Sequence, residues 1–231
     1  MNRLIKLQIR NLLRNKLFYV CLALTLITPI ANLFFAKTDP VMVSFIDFIK
    51  GELGLISTIF IAIFCCYDYN EGTTKNIIAR GYTKAQLFFS KYITSLIGLF
   101  AMYLIVFLVT FVMFIKNGMG YESTMLYSLI NSMFKIFAES AFFVTLAFLL
   151  EKNASAIIAC LFVPNIFPLL LSLVKTKLNI DLAKYWLDNV SDKFSANPTL
   201  GNLNWTILFY SLYVIVFLFI GTRILKRKEI K

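Results

Sequence analysis

Histidine is absent from the sequence, and charged residues are scarce. Of the 231 residues only 15% are Asp, Glu, Lys or Arg, whereas 59% are hydrophobic and the mean hydropathy is +0.77. The absence of histidine excludes His-dependent catalytic triads, serine–histidine dyads and His-ligated zinc or haem sites. The composition indicates a membrane protein rather than one or two soluble domains.

Glycine and proline are also few, at 9 and 5 residues, against 24 Phe and 11 Tyr. This balance favours lipid-embedded helices over a barrel, whose strands would alternate apolar and polar side chains. The cysteines lie inside apolar runs, with no CxxC pair and no metal-site spacing, and we expect them to be small apolar side chains. They are Cys21, Cys65, Cys66 and Cys160.

Six apolar runs are candidates to cross roughly 30 Å of hydrocarbon at about 1.5 Å per residue. They cover residues 17–35, 51–67, 92–115, 125–150, 154–174 and 205–222. We therefore expect an all-α integral membrane protein, with an interfacial helix over 1–16 and a single transmembrane domain over 17–231. Six spans would place both termini on one side of the membrane.

Basic residues indicate which side that is. They concentrate before the first run, in segment 68–91 and after the last run, so we expect cytoplasmic termini in the cell membrane. A basic face beside anionic lipid also explains the net charge of +11, and we expect no nucleic-acid partner. The charges expected on the other side are Lys37, Lys50, Lys116, Lys175, Lys177, Lys184 and Lys193, diluted by Asp39, Asp47, Glu122, Asp181, Asp188 and Asp192.

The first sixteen residues have the pattern of an amphipathic helix. Apolar residues recur at three-to-four spacing, and basic residues fill much of the rest. The helix would lie flat on the inner leaflet, either as a basic flank that fixes topology or as an interfacial elbow that moves with a cytoplasmic partner. The basic residues assigned to the elbow are Arg3, Lys6, Arg10 and Arg14.

Segment 68–91 is expected to hold a short helix with signals at both ends. Gly72 allows a sharp exit from the membrane, Thr73 or Thr74 can cap the helix, and Gly81 supplies a left-handed residue that ends it. Thr83 can cap the next helix, which continues into the third span. Within the short helix, Ile77 and Ile78 are apolar on an otherwise polar loop, as expected of a docking site for a partner's groove.

The arrangement Glu71-Gly72-Thr73, followed by Ile77-Ile78, Gly81, Lys84 and Lys91 after the second run, resembles ABC-2 type transporter permeases. The resemblance implies a half-transporter similar to type V exporters. It also implies that this segment is a coupling helix on an ATPase subunit. The docking residues would be Glu71, Gly72, Thr73, Thr74, Ile77, Ile78, Arg80, Gly81 and Lys84.

The sequence has no G-x-x-x-x-G-K-[ST] run and no apparent soluble domain for a nucleotide. We therefore expect this chain to be non-catalytic and to hold no cofactor, with ATP and Mg bound by a partner chain. By analogy the chain would pair with itself or with a paralogue. Its cargo would be amphipathic peptides, as in Gram-positive exporters for lantibiotic immunity and phenol-soluble modulins.

Lys135 and Glu139 stand i, i+4 in the fourth run and could pair. Lys135 is near enough to the outer surface to extend its ammonium into water, whereas Glu139 is deeper and needs a partner, a proton or a water-filled cavity. The two residues either line a cargo path or dimer cleft, or form a structural pair.

The fifth run contains Pro164, Asn165 and Pro168, and its two prolines predict a kink or break. These residues are further candidates for the cargo path. The following extracellular segment, 175–204, would either form short outer helices that close the pathway, as the resemblance implies, or lie on the surface. Trp186 within it suits the headgroup belt.

Three other functions remain as alternatives to an exporter subunit. An ATP-independent channel or carrier would place polar residues opposite each other across several spans. A peptide-binding immunity protein would need no coupling segment, and replacing Ile77 and Ile78 with Asp would leave it active. The same replacement is expected to abolish an exporter's efflux while preserving membrane insertion. An intramembrane enzyme has little support, because Glu139 has no second intramembrane carboxylate beside it.

Overall fold

The computed structural model of the chain describes residues 1–35, 49–117, 123–178 and 181–227. Over these ranges it forms nine α-helices and no strand. Residues Ile49–Leu53 form a π-helical turn and Ala183–Tyr185 a 3-10 turn. The helices are α1 (Asn2–Arg14), α2 (Lys16–Phe35), α3 (Gly54–Asn70), α4 (Thr73–Ala79), α5 (Lys84–Asn117), α6 (Ser123–Leu150), α7 (Asn153–Leu178), α8 (Leu187–Ala196) and α9 (Leu200–Arg227).

Five stretches of helix are long and apolar enough to cross a membrane. The chain is therefore a multi-pass helical membrane protein. The first of the expected spans is not among these stretches: α2 runs over Lys16–Phe35, and its part Lys16–Ile27 is a shorter apolar helix. Six spans, and termini on one side, consequently stay predictions. The five stretches are Gly51–Asn70, Lys84–Val109, Leu126–Leu150, Asn153–Leu173 and Leu200–Lys226.

Helix α5 begins well before the apolar run predicted at 92–115, as the expected cap at Thr83 implies. The backbone N–H of Gln86 donates to the Thr83 hydroxyl at 3.2 Å, and the Thr83 N–H donates to the Gln86 side-chain carbonyl at 3.0 Å. This reciprocal capping box satisfies free donors at the helix end. The prediction of a capped helix that continues into the span is confirmed.

Of the kink or break expected in the fifth run, helix α7 excludes the break. Pro164 and Pro168 both lie inside one continuous helix. Each proline removes a single N–H from the i to i−4 ladder, and the turns on either side keep their bonds. The Asn165 side chain adds a bond of its own by donating to the Leu161 carbonyl at 2.7 Å.

Helix α6 lies at the centre of the packing and contacts α3, α5, α7, α8 and α9. Its small residues Ala141 and Ala147 are fully buried, so neighbouring helices approach closely. Helix α9 packs against α5 and α6 at Gly221. The missing side chain of this glycine makes room for the ring of Phe88 and the hydroxyl of Thr145. Helices α7 and α9 are peripheral, with only 11% of each span's most apolar stretch buried inside the chain.

Several charges used to predict the membrane orientation lie outside the described residues, so the structure leaves that part of the prediction untested. These are Lys37, Asp39, Asp47, Glu122, Lys228 and Lys231.

We expect Gly221→Ala to destabilise the bundle. An added Cβ would lie 2.6 Å from Phe88 Cζ, and Phe88 is fully buried, so its ring has little room to move. The cost of such overpacking is about 1–3 kcal/mol. Melting can be followed in detergent with a thiol-reactive dye, because all four cysteines are buried in the folded chain.

Gly201→Ala is the matched control, because Gly201 is exposed and a Cβ there would meet nothing within 4 Å. Equal melting temperatures for the two variants would show that α9 does not pack as closely as described.

Candidate functional site

Helix α4 is set between two glycines with left-handed backbones, Gly72 at φ 67° and Gly81 at φ 87°. The N–H of Gly81 donates to the Ile78 carbonyl at 2.9 Å and closes the helix, as predicted. The predicted threonine cap is wrong: Gly72 is the N-cap, and the Thr73 hydroxyl donates to the Asp68 carbonyl at 3.2 Å. The two glycines give α4 a direction of its own between α3 and α5.

The two isoleucines of α4 were expected to be exposed, but neither is fully exposed in the structure. Ile77 is only 7% exposed and belongs to the chain's own core, whereas Ile78 is half-buried. Replacing both with Asp would therefore place a carboxylate in the core and lower stability, so the effect of this variant is not confined to docking. The exposed residues of α4 are Lys75, Asn76 and Ala79, followed by Arg80.

Three buried side chains join α4's neighbours, and we call them the Asp68 cluster: Gln8 of α1, Asp68 of α3 and Lys91 of α5. Lys91 Nζ lies 3.1 Å from Asp68 Oδ2, and Gln8 Nε2 donates to the same oxygen at 2.8 Å. The ammonium also donates to the Phe64 carbonyl at 2.9 Å and lies 4.1 Å from the centre of the Phe64 ring. The Lys91 side chain is 1% exposed.

This burial determines how the cluster acts. A buried ion pair is costly to separate, because either charge left alone in an apolar interior has no compensation. Asp68 is the third residue from the end of α3, and Lys91 lies two turns into α5. Their contact therefore holds the end of α3 and the start of α5 together on either side of α4. Gln8 extends that contact to α1, on the face shared with Leu4 and Leu12.

An amphipathic helix is present near the predicted range, as α1 over Asn2–Arg14 with Asn15 as its C-cap, and its place on the inner leaflet stays a prediction. Leu4, Gln8 and Leu12 form its buried stripe. The basic residues assigned to the elbow, Arg3, Lys6, Arg10 and Arg14, are all exposed.

The sequence reasoning missed the Asp68 cluster. Lys91 was counted only among the basic residues of the expected cytoplasmic side and in the permease-like arrangement, and Gln8 and Asp68 were given no role. A signal was present, because Asp68 and Lys91 are opposite charges at the two membrane ends of one loop, where antiparallel helices bring them face to face. The polar Gln8 within the apolar stripe of α1 was a second signal.

The remaining residues predicted for docking do not join the Asp68 cluster. Glu71 is exposed as the C-cap of α3, and Lys84 is half-buried at the start of α5. Gly72 and Gly81 contribute through their backbone conformations alone.

A second charged cluster lies near the middle of α6, and we call Lys135, Glu139 and Asp188 the Lys135 cluster. Lys135 Nζ lies 3.5 Å from Glu139 Oε1, so the predicted i, i+4 pair is present. The same nitrogen lies 2.5 Å from Asp188 Oδ1 of α8. The Lys135 side chain is only 11% exposed, so it does not extend into water as expected.

Helix α8 is fixed to the bundle by further polar contacts beside this cluster. Asn131 Nδ2 of α6 donates to the Ser191 hydroxyl at 3.2 Å, and the Tyr210 hydroxyl of α9 donates to Asn131 Oδ1 at 3.2 Å. The buried Leu187 and Phe194 add an apolar face. Segment 175–204 therefore contains a helix packed on α6 and α9 rather than only a surface loop.

Trp186 corrects the expectation of a headgroup anchor, because it is 4% exposed. Its ring packs against Phe142, Phe167 and Tyr213, and its N–H donates to Asp188 Oδ2 at 3.1 Å. Asp188 thereby contacts both Trp186 and Lys135. The indole holds the carboxylate in place for the ammonium.

The other residues predicted for the cargo path lie apart from this cluster. Asn165 is exposed on the outer face of α7, and Pro164 and Pro168 are half-buried within the same helix. Asp188, Asn131 and Tyr210 were not predicted, because each is distant in the sequence from its partners.

Neither cluster offers a nucleophile paired with a base. Among the residues that the structure describes, no group of three or more Cys, Asp or Glu side chains could hold a metal ion. Both clusters connect different helices, and their contacts hold those helices together.

Residues 39–231 match the model of a family described as "Protein of unknown function (DUF2705)". The chain belongs to this family. The match covers every helix from α3 to α9, and so both Asp68 and Lys91 and the whole Lys135 cluster, but not α1 with Gln8. No curated protein matches the sequence.

We expect Lys91→Met to be strongly destabilising, because it leaves Asp68 buried and unpaired at a cost of about 3–5 kcal/mol. The melting temperature in detergent should fall by roughly 6–20 °C. The double variant Lys91→Met with Asp68→Asn removes both charges and should recover much of that loss. A double variant no more stable than Lys91→Met would refute the pairing.

In the Lys135 cluster, Glu139→Gln should be milder than Glu139→Lys. The amide keeps the shape of the side chain and can still accept a hydrogen bond, whereas a second ammonium would face Lys135 in a mostly buried site. Melting temperatures of the two variants, measured side by side, test this. Wild-type stability for both would place Glu139 outside any buried network.

Proposed function

We propose that this chain is the membrane-spanning permease subunit of an ATP-driven exporter. A separate ATPase chain would dock on α4, bind ATP and Mg, and supply the energy. The chain would lie in the cell membrane with both termini in the cytoplasm, pair with a second copy or a paralogue, and move amphipathic peptide cargo outward.

The observation that supports this proposal most is the way α4 is joined to the bundle. A helix of seven residues lies between two left-handed glycines, and its base is held by the Asp68 cluster. Ile77 anchors its inner face in the core. A force applied to α4 from outside would therefore be passed through buried contacts to α1, α3 and α5 together.

The exposed residues of α4 and its C-cap are suited to a protein partner. They are Lys75, Asn76, Ala79 and Arg80, of which Asn76 and Arg80 also line the groove beside α1, and they give a small basic surface. Charged residues on an interface rim govern which partner is recognised and how fast it binds. An ATPase subunit with acidic residues around its docking groove would complement this surface.

The Lys135 cluster and α8 would act at the other end of the pathway. Helix α8 packs on α6 and α9 through Asp188 and Ser191, and a rearrangement of α6 would carry it along. In this proposal α8 closes the outer end between transport cycles. The apolar and aromatic side chains of the bundle suit amphipathic cargo better than ions or sugars.

The experiment that tests the proposal is recovery of the partner. Tagged chain would be solubilised gently from its native membrane, and stoichiometric partners identified by mass spectrometry. We expect an ATPase subunit to be recovered with the wild type and lost with the double variant Lys75→Glu, Arg80→Glu. These side chains are exposed, so the variant should insert and melt like the wild type.

Lys193→Glu is a control, because it reverses an exposed charge on α8, far from α4 in the sequence. It should keep the ATPase. Recovery of the chain alone, under conditions that preserve other membrane complexes, would reject the exporter and favour a self-sufficient channel or a peptide-binding protein.

A further inference from the structure

We propose that the groove between α1 and α4 is a binding site for the phosphate-bearing headgroup of an anionic phospholipid. The groove has a volume of about 700 Å³, within the range of small-molecule sites. It is bounded by the end of α1, the start of α2, the end of α3 and one side of α4. The polar residues that form it include Asn11, Arg14, Lys16, Asn76 and Arg80.

The groove carries an excess of positive charge, which favours the binding of an anion. Arg14, Lys16 and Arg80 line it, and none of them forms an ion pair with a carboxylate of the described residues. Asp68 also lines the groove, but it is buried and already contacts Lys91 and Gln8. A phosphate entering the groove would therefore meet cations without local competitors, together with amide donors from Asn11 and Asn76.

The position of the groove favours a lipid over a soluble anion. Helix α2 begins at Lys16, and Tyr19 and Val20, one turn further along, are each 53% exposed. Leu24 continues this apolar face by a further turn. If α2 enters the bilayer, as its apolar sequence predicts, these side chains meet acyl chains and the groove lies where the hydrocarbon ends and headgroups begin. A phospholipid could place its phosphate among the cations and its acyl chains along α2.

Basic pockets between helices at a membrane boundary bind anionic headgroups in this way. The lipid would contact α1, α2 and α4 at once, beside the buried Asp68. Lipid binding at this site requires no ATPase, although Asn76 and Arg80 also belong to the α4 surface proposed for docking, so the lipid is tested on the purified chain alone. Where both hold, the lipid stabilises α1 against the α4 segment.

The test compares phosphatidylglycerol with phosphatidylcholine of the same acyl chains, each titrated into the purified full chain in neutral detergent and followed by native mass spectrometry. We expect one retained phosphatidylglycerol per chain and little retained phosphatidylcholine. The double variant Arg14→Gln, Arg80→Gln should weaken phosphatidylglycerol binding by roughly 10- to 30-fold. Both side chains are exposed, and an unchanged melting temperature would confirm that the variant is folded.

The double variant Arg3→Gln, Arg10→Gln is the matched control, since it removes the same charge from exposed positions outside the groove. It should bind phosphatidylglycerol like the wild type. An equal loss in both variants would overturn the proposal in favour of diffuse surface attraction. Equal retention of the two lipids by the wild type would also overturn it. Displacement of the lipid by millimolar inorganic phosphate would instead identify a site for the free anion.

Discussion

The buried contact between Asp68 and Lys91 is the constraint on which the rest of this end of the bundle depends. Once two opposite charges are enclosed by helices, the helices must keep their relative positions, because separating the charges without water is far more costly than sliding apolar surfaces. Gln8 adds α1 to the same contact, and the two left-handed glycines give α4 its direction from it. The exposed face of α4 and the cationic groove beside it are both consequences of this arrangement.

The Lys135 cluster differs in its composition. Here one ammonium serves two carboxylates, and Asp188 is half-exposed whereas Asp68 is buried. The α4 end of the bundle is thus joined by one fully enclosed ion pair, whereas α8 is joined to α6 by a partly exposed cluster in which one ammonium contacts two carboxylates.

Helices, caps and local pairs could be predicted from the sequence, because their causes lie within a few residues of each other. The amphipathic stripe of α1, the termination at Gly81, the cap at Thr83 and the Lys135–Glu139 pair are examples. Contacts across the fold could not be predicted, since Gln8, Asp188 and Trp186 acquire their roles from residues distant in the chain. Ile77 shows a related limit: an isoleucine on a polar loop looks the same whether it faces a partner or its own core.

The length of α5 has a consequence for how motion would spread. It runs unbroken for 34 residues, or about 51 Å, which exceeds the hydrocarbon thickness by roughly 20 Å. Lys91 joins it to α3 near one end, so the part of the helix beyond this fixed point is much longer than the part before it. A slight tilt at that point becomes a much larger sideways displacement at the distant end near Asn117. Small rearrangements at the shorter part would thus be amplified on the opposite side of the membrane without bending any helix.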